Sequence, residues 1–343
     1  MLERKIKLMI VDDSLLFRET LAKFFNNDNL IEVVGKASDP YEARDKIVEL
    51  RPDVITLDVE MPKMNGIQFL KKLIPQYPVP TVIVSSAPIK AFDALDAGAV
   101  DYVKKPMIKT PKDMEGFARD LRAKVVTASQ AKVIQKKILG SAKESHTVSN
   151  EAIARNKDTI IAMGASTGGT DALQTVLTAL PGNLPPIVIV QHMPPGFTKM
   201  FADRLNKICA VEIREAKDGD RLHNGLALIA PGDFHMSLHK DAQGYFVKVE
   251  YGERVSSHRP SVDYLFNSVA KTAGKNAIGV IMTGMGSDGA EGMYKMFQQG
   301  AYNIGQDKET CVVYGMPMTA YMRGGVTIQA PLDKISSLIC KHL

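Results

Sequence analysis

The chain has 343 residues, 45% of them hydrophobic and 24% charged, with a formal net charge of +5. This is ordinary globular composition, which excludes disordered, collagen-like and disulfide-scaffold chains, and the length predicts two domains with a core each. The charge splits as +1 over 1–125, +3 over 126–156 and +1 over 157–343, so neither large block is basic enough for a nucleic-acid surface and the middle segment reads as a solvated linker.

Cys209, Cys311 and Cys340 stand far apart without metal-ligand spacing, which argues against a disulfide framework or structural zinc. The first apolar stretch meets Asp12 and Asp13 at once, too soon for a signal-peptide core, and no later run is long enough for a membrane span. A cytoplasmic protein without membrane insertion is predicted.

Residues 1–125 alternate short apolar runs with amphipathic segments. Strands are predicted at Ile6–Val11, Ile31–Ala37, Val54–Asp58, Thr81–Ser85 and Val100–Val103, and helices at Leu15–Phe25, Pro40–Leu50, Ile67–Ile74 and about Met114–Val126. Alternation of this kind builds a parallel sheet covered on both faces, with function at the carboxyl ends of its strands. Those ends carry Asp12 and Asp13, Asp58, Ser85 and Lys105. Three converging carboxylates need a cation, and an all-oxygen set favours a hard ion such as Mg²⁺. A neutralised carboxylate beside an ammonium and a hydroxyl is a plausible phosphoryl acceptor. Alone, Asp12-Asp13-Ser14 would be read as a helix cap; the five positions together favour the phosphoryl site.

The motifs V-D-D-S at 11–14, D-V-E-M-P-K-M-N-G at 58–66, V-S-S at 84–86 and D-Y-V-K-K-P at 101–106 resemble a two-component receiver domain. The resemblance implies that Asp58 is the phosphoacceptor and that Asp13, Asp58 and the Glu60 carbonyl hold Mg²⁺ with help from Asp12. It further implies that Ser85 and Lys105 contact the phosphoryl group and that Tyr102 is the switch aromatic. Asn65 stands where many receivers carry Asp, and the turn tolerates either.

From Thr127 to Asn156 the apolar pattern weakens into Ser, Thr, Lys and Ala. A linker is predicted, with the fifth helix continuing as far as Leu139 before Gly140 stops it.

The second block, 157–343, resumes the alternation. Strands are predicted at Thr159–Met163, Ile187–Gln191 and Ile278–Thr283, and helices at Asp171–Leu180, Lys199–Ile208, Val262–Ala273 and Glu291–Gln299. Short alternating runs between Val211 and Glu250 predict an antiparallel extension or hairpin region. Three strands run into G-A-S-T-G-G at 164–169, Q-H-M-P-P-G at 191–196 and T-G-M-G-S-D-G-A at 283–290, which puts Ser166, His192 and Asp288 at one sheet edge. A serine needs a base to become nucleophilic near neutral pH, and the base needs a carboxylate to hold its tautomer. The glycines around Ser166 permit a tight turn into a helix whose amides stabilise an oxyanion. The G-x-S-x-G pattern fits a nucleophile elbow, although the order Ser…His…Asp disfavours an ordinary lipase-type fold. A nucleotide phosphate cradle is the rival reading, weakened because the next strand ends in no ribose-binding acid. His235 and His258 are rival bases, and Asp233 and Asp263 rival orienters.

These motifs, with R-L-N, E-A-K-D-G-D, I-A-P-G-D-F-H-M, H-R-P-S-V-D and V-V-Y-G-M-P in the same order, closely resemble the catalytic domain of the chemotaxis response-regulator protein-glutamate methylesterases, which also deamidate glutamines. The resemblance implies Ser166 as nucleophile, His192 as general base, Asp288 as its orienting partner, and the N–H groups of Thr167 and Met285 as oxyanion donors, with no cofactor in this domain. It implies an α/β chain of two doubly wound domains: a flavodoxin-like receiver, then a Rossmann-like methylesterase domain with an antiparallel extension. The implied partners are a chemotaxis histidine kinase as phosphodonor and methyl-accepting chemoreceptors as substrate. A binding module with a vestigial site is disfavoured by the intact triad, and a DNA-binding output by the lack of a short trihelical segment.

Overall fold

The computed structural model describes residues 4–86, 88–106, 111–133, 148–149, 151 and 158–343. Most of the predicted linker therefore lies outside the described residues. The chain divides into two compact units, Met1–Leu139 and Gly140–Leu343, and the division falls within that linker.

The first unit is a five-stranded parallel sheet of β1 (Ile6–Val11), β2 (Ile31–Ala37), β3 (Val54–Asp58), β4 (Thr81–Ser85) and β5 (Asp101–Lys104), in the order β2-β1-β3-β4-β5. This is the flavodoxin-like order, with the crevice for ligands at the β1/β3 switch point. Every residue of β3 and β4 is buried, which is why these strands read as unbroken apolar runs rather than alternating ones. The helices are α1 (Leu15–Phe25), α2 (Pro40–Leu50), α3 (Gly66–Leu73), α4 (Pro88–Asp96) and α5 (Pro111–Ala128). Ser14, Asp39 and Asn65 cap the first three with side-chain oxygens, satisfying amides that have no partner inside a helix. Asn65 is thus a working cap in the position where the motif comparison left Asn or Asp open. The fifth helix ends at Ala128 and Ala131–Val133 are not helical, so it stops well short of the predicted continuation; Ile134–Leu139 lie outside the described residues.

The second unit is built on seven parallel strands: β6 (Ile160–Ala165), β7 (Ile187–Gln191), β8 (Glu212–Glu215), β9 (Leu226–Ile229), β12 (Ala277–Ile281), β13 (Tyr302–Gln306) and β14 (Ile328–Ala330). Their order is β14-β13-β12-β6-β7-β9-β8. The chain starts at the centre with β6, builds outward through β7, then returns to place β12 on the other side of β6. That reversal creates a switch point between β6 and its neighbours, where sites form at the carboxyl ends. A separate antiparallel hairpin pairs β10 (His235–Asp241) with β11 (Gly244–Glu250).

The antiparallel region predicted between Val211 and Glu250 is therefore only half right. β8 and β9 are parallel strands of the main sheet, and only β10 and β11 form the hairpin. All four residues of β9 are buried, as a parallel strand covered on both faces requires. The helices are α6 (Gly169–Thr178), α7 (Phe197–Asn206), α8 (Val262–Thr272), α9 (Ala290–Gln298), α10 (Met316–Met322) and α11 (Leu332–His342). In the core, Val262, Phe266 and Val269 of α8 pack with Ile160 and Ala162 of β6 and with Met293 and Met296 of α9. Gly164 lets α8 approach this closely, because a Cβ there would lie 2.3 Å from Val262 Cγ1. Of the methionines in this unit, Met282, Met293, Met296 and Met316 are fully buried. Met318 is exposed.

Candidate active site

In the second unit the three strand-end residues meet. Ser166 follows β6, His192 follows β7, and Asp288 lies on the turn between β12 and α9. Ser166 Oγ is 3.1 Å from His192 Nδ1, and His192 Nε2 is 2.8 Å from Asp288 Oδ2. A carboxylate only accepts, so the neutral imidazole carries its proton on Nε2 and turns the Nδ1 lone pair toward the serine hydroxyl. The two ring nitrogens are used in the opposite sense to the serine proteases, with the same connectivity.

Asp288 is 2% exposed, and a charge buried that deeply needs donors. It has four. Oδ1 accepts from Ser261 Oγ at 2.8 Å and from the Asp263 amide at 2.9 Å, while Oδ2 accepts from the Val262 amide at 2.7 Å and from His192. Three of the four come from the first turn of α8 and its cap, so the positive end of a helix faces the carboxylate. Burial pushes the Asp288 carboxyl up, and the bonds to His192, the Asp263 amide and Ser261 outweigh it to hold the group below the usual carboxylate range.

The rival residues fall elsewhere. Asp263 contributes its amide to Asp288, while its own carboxylate accepts from the Gly292 amide and from Ser256 Oγ; burial pushes it up. Asp233 binds the Arg259 guanidinium. His235 is stacked on Tyr264 and bonded to the Glu253 carbonyl. His258 lies face to face with His192, with ring centroids 3.8 Å apart and planes 6° apart. None of the four is the group bonded to Ser166.

The turn that presents Ser166 is locked on several sides. The Ser166 amide donates to the Thr283 carbonyl, its carbonyl accepts from the Gly169 amide and from Gln191 Nε2, and Thr283 Oγ1 donates to the Thr167 carbonyl. Gly168 has φ +76°, and a Cβ there would come within 2.7 Å of Val312, so the turn needs glycine both for its backbone and for space. Across the site, Gly284 abuts Ser166: a Cβ would lie 2.7 Å from Ser166 Cβ. The candidate oxyanion donors Thr167 and Met285 are the residues after Ser166 and after Gly284. Sequence reasoning missed Ser261 as an Asp288 partner; the S-V-D run that opens α8, with Ser261 as its cap, is a helix-start pattern that could have shown it.

In the first unit the predicted residues also gather at one edge. Asp12, Asp13 and Asp58 offer carboxylate oxygens within 4.8 Å of one another. Lys105 Nζ donates to Asp12 Oδ2 at 2.7 Å and also to Asp58 Oδ2, and lies 4.6 Å above the Phe17 ring. Burial pushes Asp12 up to about 6, with the Lys105 bond pulling it down and the Asp58 charge pushing it further up. Among the described residues one ammonium is thus left to neutralise a three-carboxylate group, and the all-oxygen donor set fits a hard divalent cation. Ser85 is buried at the end of β4, where its carbonyl accepts from the Lys105 amide. The Glu60 carboxylate turns away to Lys90 while its amide binds Asp58 Oδ1, which leaves only its backbone carbonyl for the predicted metal role. Tyr102 is buried beside Phe92, and burial pushes its phenol well up. Gly66 is forced by space, since a Cβ would sit 2.2 Å from the Asp58 carbonyl oxygen.

Residues 161–339 match the family model described as CheB methylesterase, and residues 8–114 match that of the response regulator receiver domain. Two curated relatives carry the name protein-glutamate methylesterase/protein-glutamine glutaminase. The chain is 49% identical to that of Syntrophotalea carbinolica, covering 98% of this chain and 97% of the relative. It is 46% identical to that of Salmonella typhimurium, covering 97% and 95%. Among solved structures, the Thermotoga maritima CheB methylesterase catalytic domain is 39% identical, covers 54% of this chain and 98% of its own, and superposes with a TM-score of 0.53. The chain belongs to the CheB methylesterase family and carries the receiver domain of a response regulator ahead of the esterase domain.

Proposed function

We propose that Ser166, His192 and Asp288 perform the esterase chemistry of this phosphorylation-regulated protein-glutamate methylesterase and protein-glutamine deamidase. The observation that carries the assignment is the unbroken hydrogen-bond chain from Ser166 Oγ through His192 to Asp288. On a glutamyl γ-methyl ester, His192 Nδ1 takes the serine proton as Oγ attacks the ester carbonyl. The Thr167 and Met285 amides receive the oxyanion, and the imidazolium returns its proton to departing methanol. Water, activated by the same nitrogen, then cleaves the acyl-enzyme to leave glutamate and free Ser166. A glutamine follows the same path with ammonia as the leaving group. Asp288 holds the Nε2–H tautomer and stabilises the imidazolium without taking the proton.

In the receiver, which we take as residues 1–125 with 126–156 as linker and 157–343 as the catalytic domain, Asp58 accepts the phosphoryl group from a chemotaxis histidine kinase. Asp13, Asp58 and the Glu60 carbonyl, with Asp12 assisting, would hold Mg²⁺, which when bound neutralises the carboxylates and the phosphoryl oxygens. Lys105 already reaches Asp58 and is placed to pair with a phosphoryl group there; Ser85 supplies a hydroxyl at the neighbouring strand end. Tyr102 is the aromatic that answers the change. The substrates are methyl-accepting chemoreceptors, acted on at their cytoplasmic helices. Among the described residues no helix is long and apolar enough to cross a membrane.

Ser166→Ala or His192→Ala is expected to lower methanol release from methylated receptor by several orders of magnitude, and Asp288→Asn by less, because the base remains when its orientation is lost. Normal turnover in Ser166→Ala would remove the acyl-enzyme route. Incubated with a small phosphodonor and Mg²⁺, the chain is expected to gain one acid-labile phosphate on Asp58 by peptide mass spectrometry, and Asp58→Asn to gain none.

Asp12 supplies a pH dependence. Its folded value, about 6, lies above its ordinary one, so the folded state binds the proton more tightly and stability falls as pH rises from about 4 to about 6. In metal-free buffer at pH 8, Asp12→Asn is expected to be more stable than the parent by roughly 1–3 kcal/mol in urea unfolding, with the difference vanishing below pH 4. A variant no more stable at pH 8 would contradict the cost assigned to this charge. For regulation, a fragment beginning near Asn156 is expected to release methanol faster than the unphosphorylated full chain and to ignore phosphodonor. A fragment no faster than the intact chain would exclude simple inhibition by the receiver.

A further inference from the structure

The residue against which His192 rests has no part in the reading above. His192 is held by two bonds in the plane of its ring, at Nδ1 and Nε2. Two such bonds define an axis across the ring and restrain tilt about it only weakly, because a hydrogen bond tolerates tens of degrees of misalignment before it fails. Tilt moves the Nδ1 lone pair off the line to Ser166 Oγ, which is what a general base cannot afford. The His258 ring, parallel at 3.8 Å, closes one face of His192 against that motion.

His258 is itself held by a built turn. Its amide and carbonyl exchange hydrogen bonds with Val255 at 2.9 and 3.1 Å, and the two residues between them, Ser256 and Ser257, have φ of +51° and +67°. Side-chain-bearing residues enter that region at a cost, and such strain persists where the surroundings enforce it and collects at functional sites. Here Ser256 Oγ donates to Asp263 Oδ2 at 3.1 Å, and His258 Nδ1 donates to the Ser256 carbonyl at 2.6 Å. Asp263 is the same residue whose amide binds Asp288. The first turn of α8 therefore anchors both the carboxylate at one edge of His192 and the loop that supplies the ring on its face.

Two other roles for His258 fail on geometry. As a rival base it would need to bond Ser166 Oγ, and the imidazole bonded there is His192, while His258 Nδ1 is bonded to the Ser256 carbonyl. As a shared metal ligand with His192 and Asp288 it would need lone pairs that converge. The three side chains do bring ligand atoms within 4.8 Å of one another, but Asp288 Oδ2 already accepts two donors, His192 Nε2 is one of them, and His258 Nδ1 is bonded to the Ser256 carbonyl.

We infer that His258 is a positioning residue for the esterase reaction, the flat platform that keeps the His192 ring aligned with Ser166; the inference rests on the triad assignment proposed above. It acts through its ring face and not through its nitrogens, so a flat ring without nitrogen can replace it.

The test uses the full chain treated with phosphodonor, with two readouts: methanol release from methylated receptor, and the rate at which a fluorophosphonate labels Ser166. The second reports activation of the serine without any receptor contact. His258→Ala is expected to lower kcat roughly 10–100-fold with KM within about twofold, and to slow labelling in parallel. His258→Phe is expected to recover most of both losses. If the alanine variant does not fold, His258→Leu, which fills the space without a flat face, takes its place with the same expected loss. Wild-type kcat in the alanine variant overturns the inference. So does a phenylalanine variant as slow as alanine, which would assign the role to the nitrogens, or a raised KM with normal labelling, which would make His258 a substrate contact. Ser166→Ala run alongside separates the two levels. If it keeps turnover, the triad assignment itself fails; if it is inactive while His258→Ala is normal, only the platform fails.

Discussion

A carboxylate taken out of water must be given donors or a counter-charge, and the two units of this chain meet that constraint in opposite ways. Asp288 is saturated: each of its oxygens accepts two donors, three of the four from the start of α8. The acidic edge of the receiver is left short, with Lys105 shared between Asp12 and Asp58 and Asp12 pushed up to about 6. A saturated charge is rigid and suits a group whose task is to hold a ring in one tautomer. A short-changed cluster gains by taking on a cation, and then has the charge balance to receive and lose a phosphoryl group. The same physics thus leaves one sheet edge saturated and the other short of positive charge, which fits the roles proposed for them.

Much of this was legible before any coordinates, for reasons that can be named. β3, β4 and β7 are buried on both faces, so they appear as continuous apolar runs with a chemical residue at the end. Ser166, His192 and Asp288 each stand between such a run and a glycine. The part that failed is equally specific. Glu212–Glu215 mixes charged residues with a single buried Ile213 because β8 is the edge strand of the sheet, and an edge strand looks from sequence like one half of a hairpin. The strand Tyr302–Gln306 went unread because its buried interior includes Asn303 and Gln306, whose side chains bond to the Met293 and Gly325 carbonyls and to the Thr283 amide. Periodicity finds apolar faces and is blind to polar groups satisfied inside the fold.

The site shows the same limit. The triad was legible because each member lies in the loop that follows a buried strand, whereas Ser261, the Asp263 amide and His258 act through a helix cap and a turn with two left-handed serines. Neither feature leaves a periodic trace. Asp263 was weighed as a rival acid for its side chain, and it is the backbone of that residue that touches Asp288.

The helices that begin at the catalytic edge differ from those of the receiver in one respect. α6, α7 and α9 start at Gly168, Gly196 and Gly289, all with positive φ, and none has a side-chain cap. The leading amides of α6 and α7 meet no serine or aspartate side chain, whereas in α9 the Asp263 carboxylate accepts from the Gly292 amide, so two uncapped positive helix ends face the edge where Ser166, His192 and Asp288 stand. A field of that sign favours the oxyanion, and it favours any anion. In the proposed reaction, hydrolysis converts a neutral ester or amide into a carboxylate at this edge, so it manufactures a better ligand than it consumed. Product departure, as much as bond cleavage, is then part of what the protein has to solve, because the new carboxylate leaves against the pull of two uncapped helix ends.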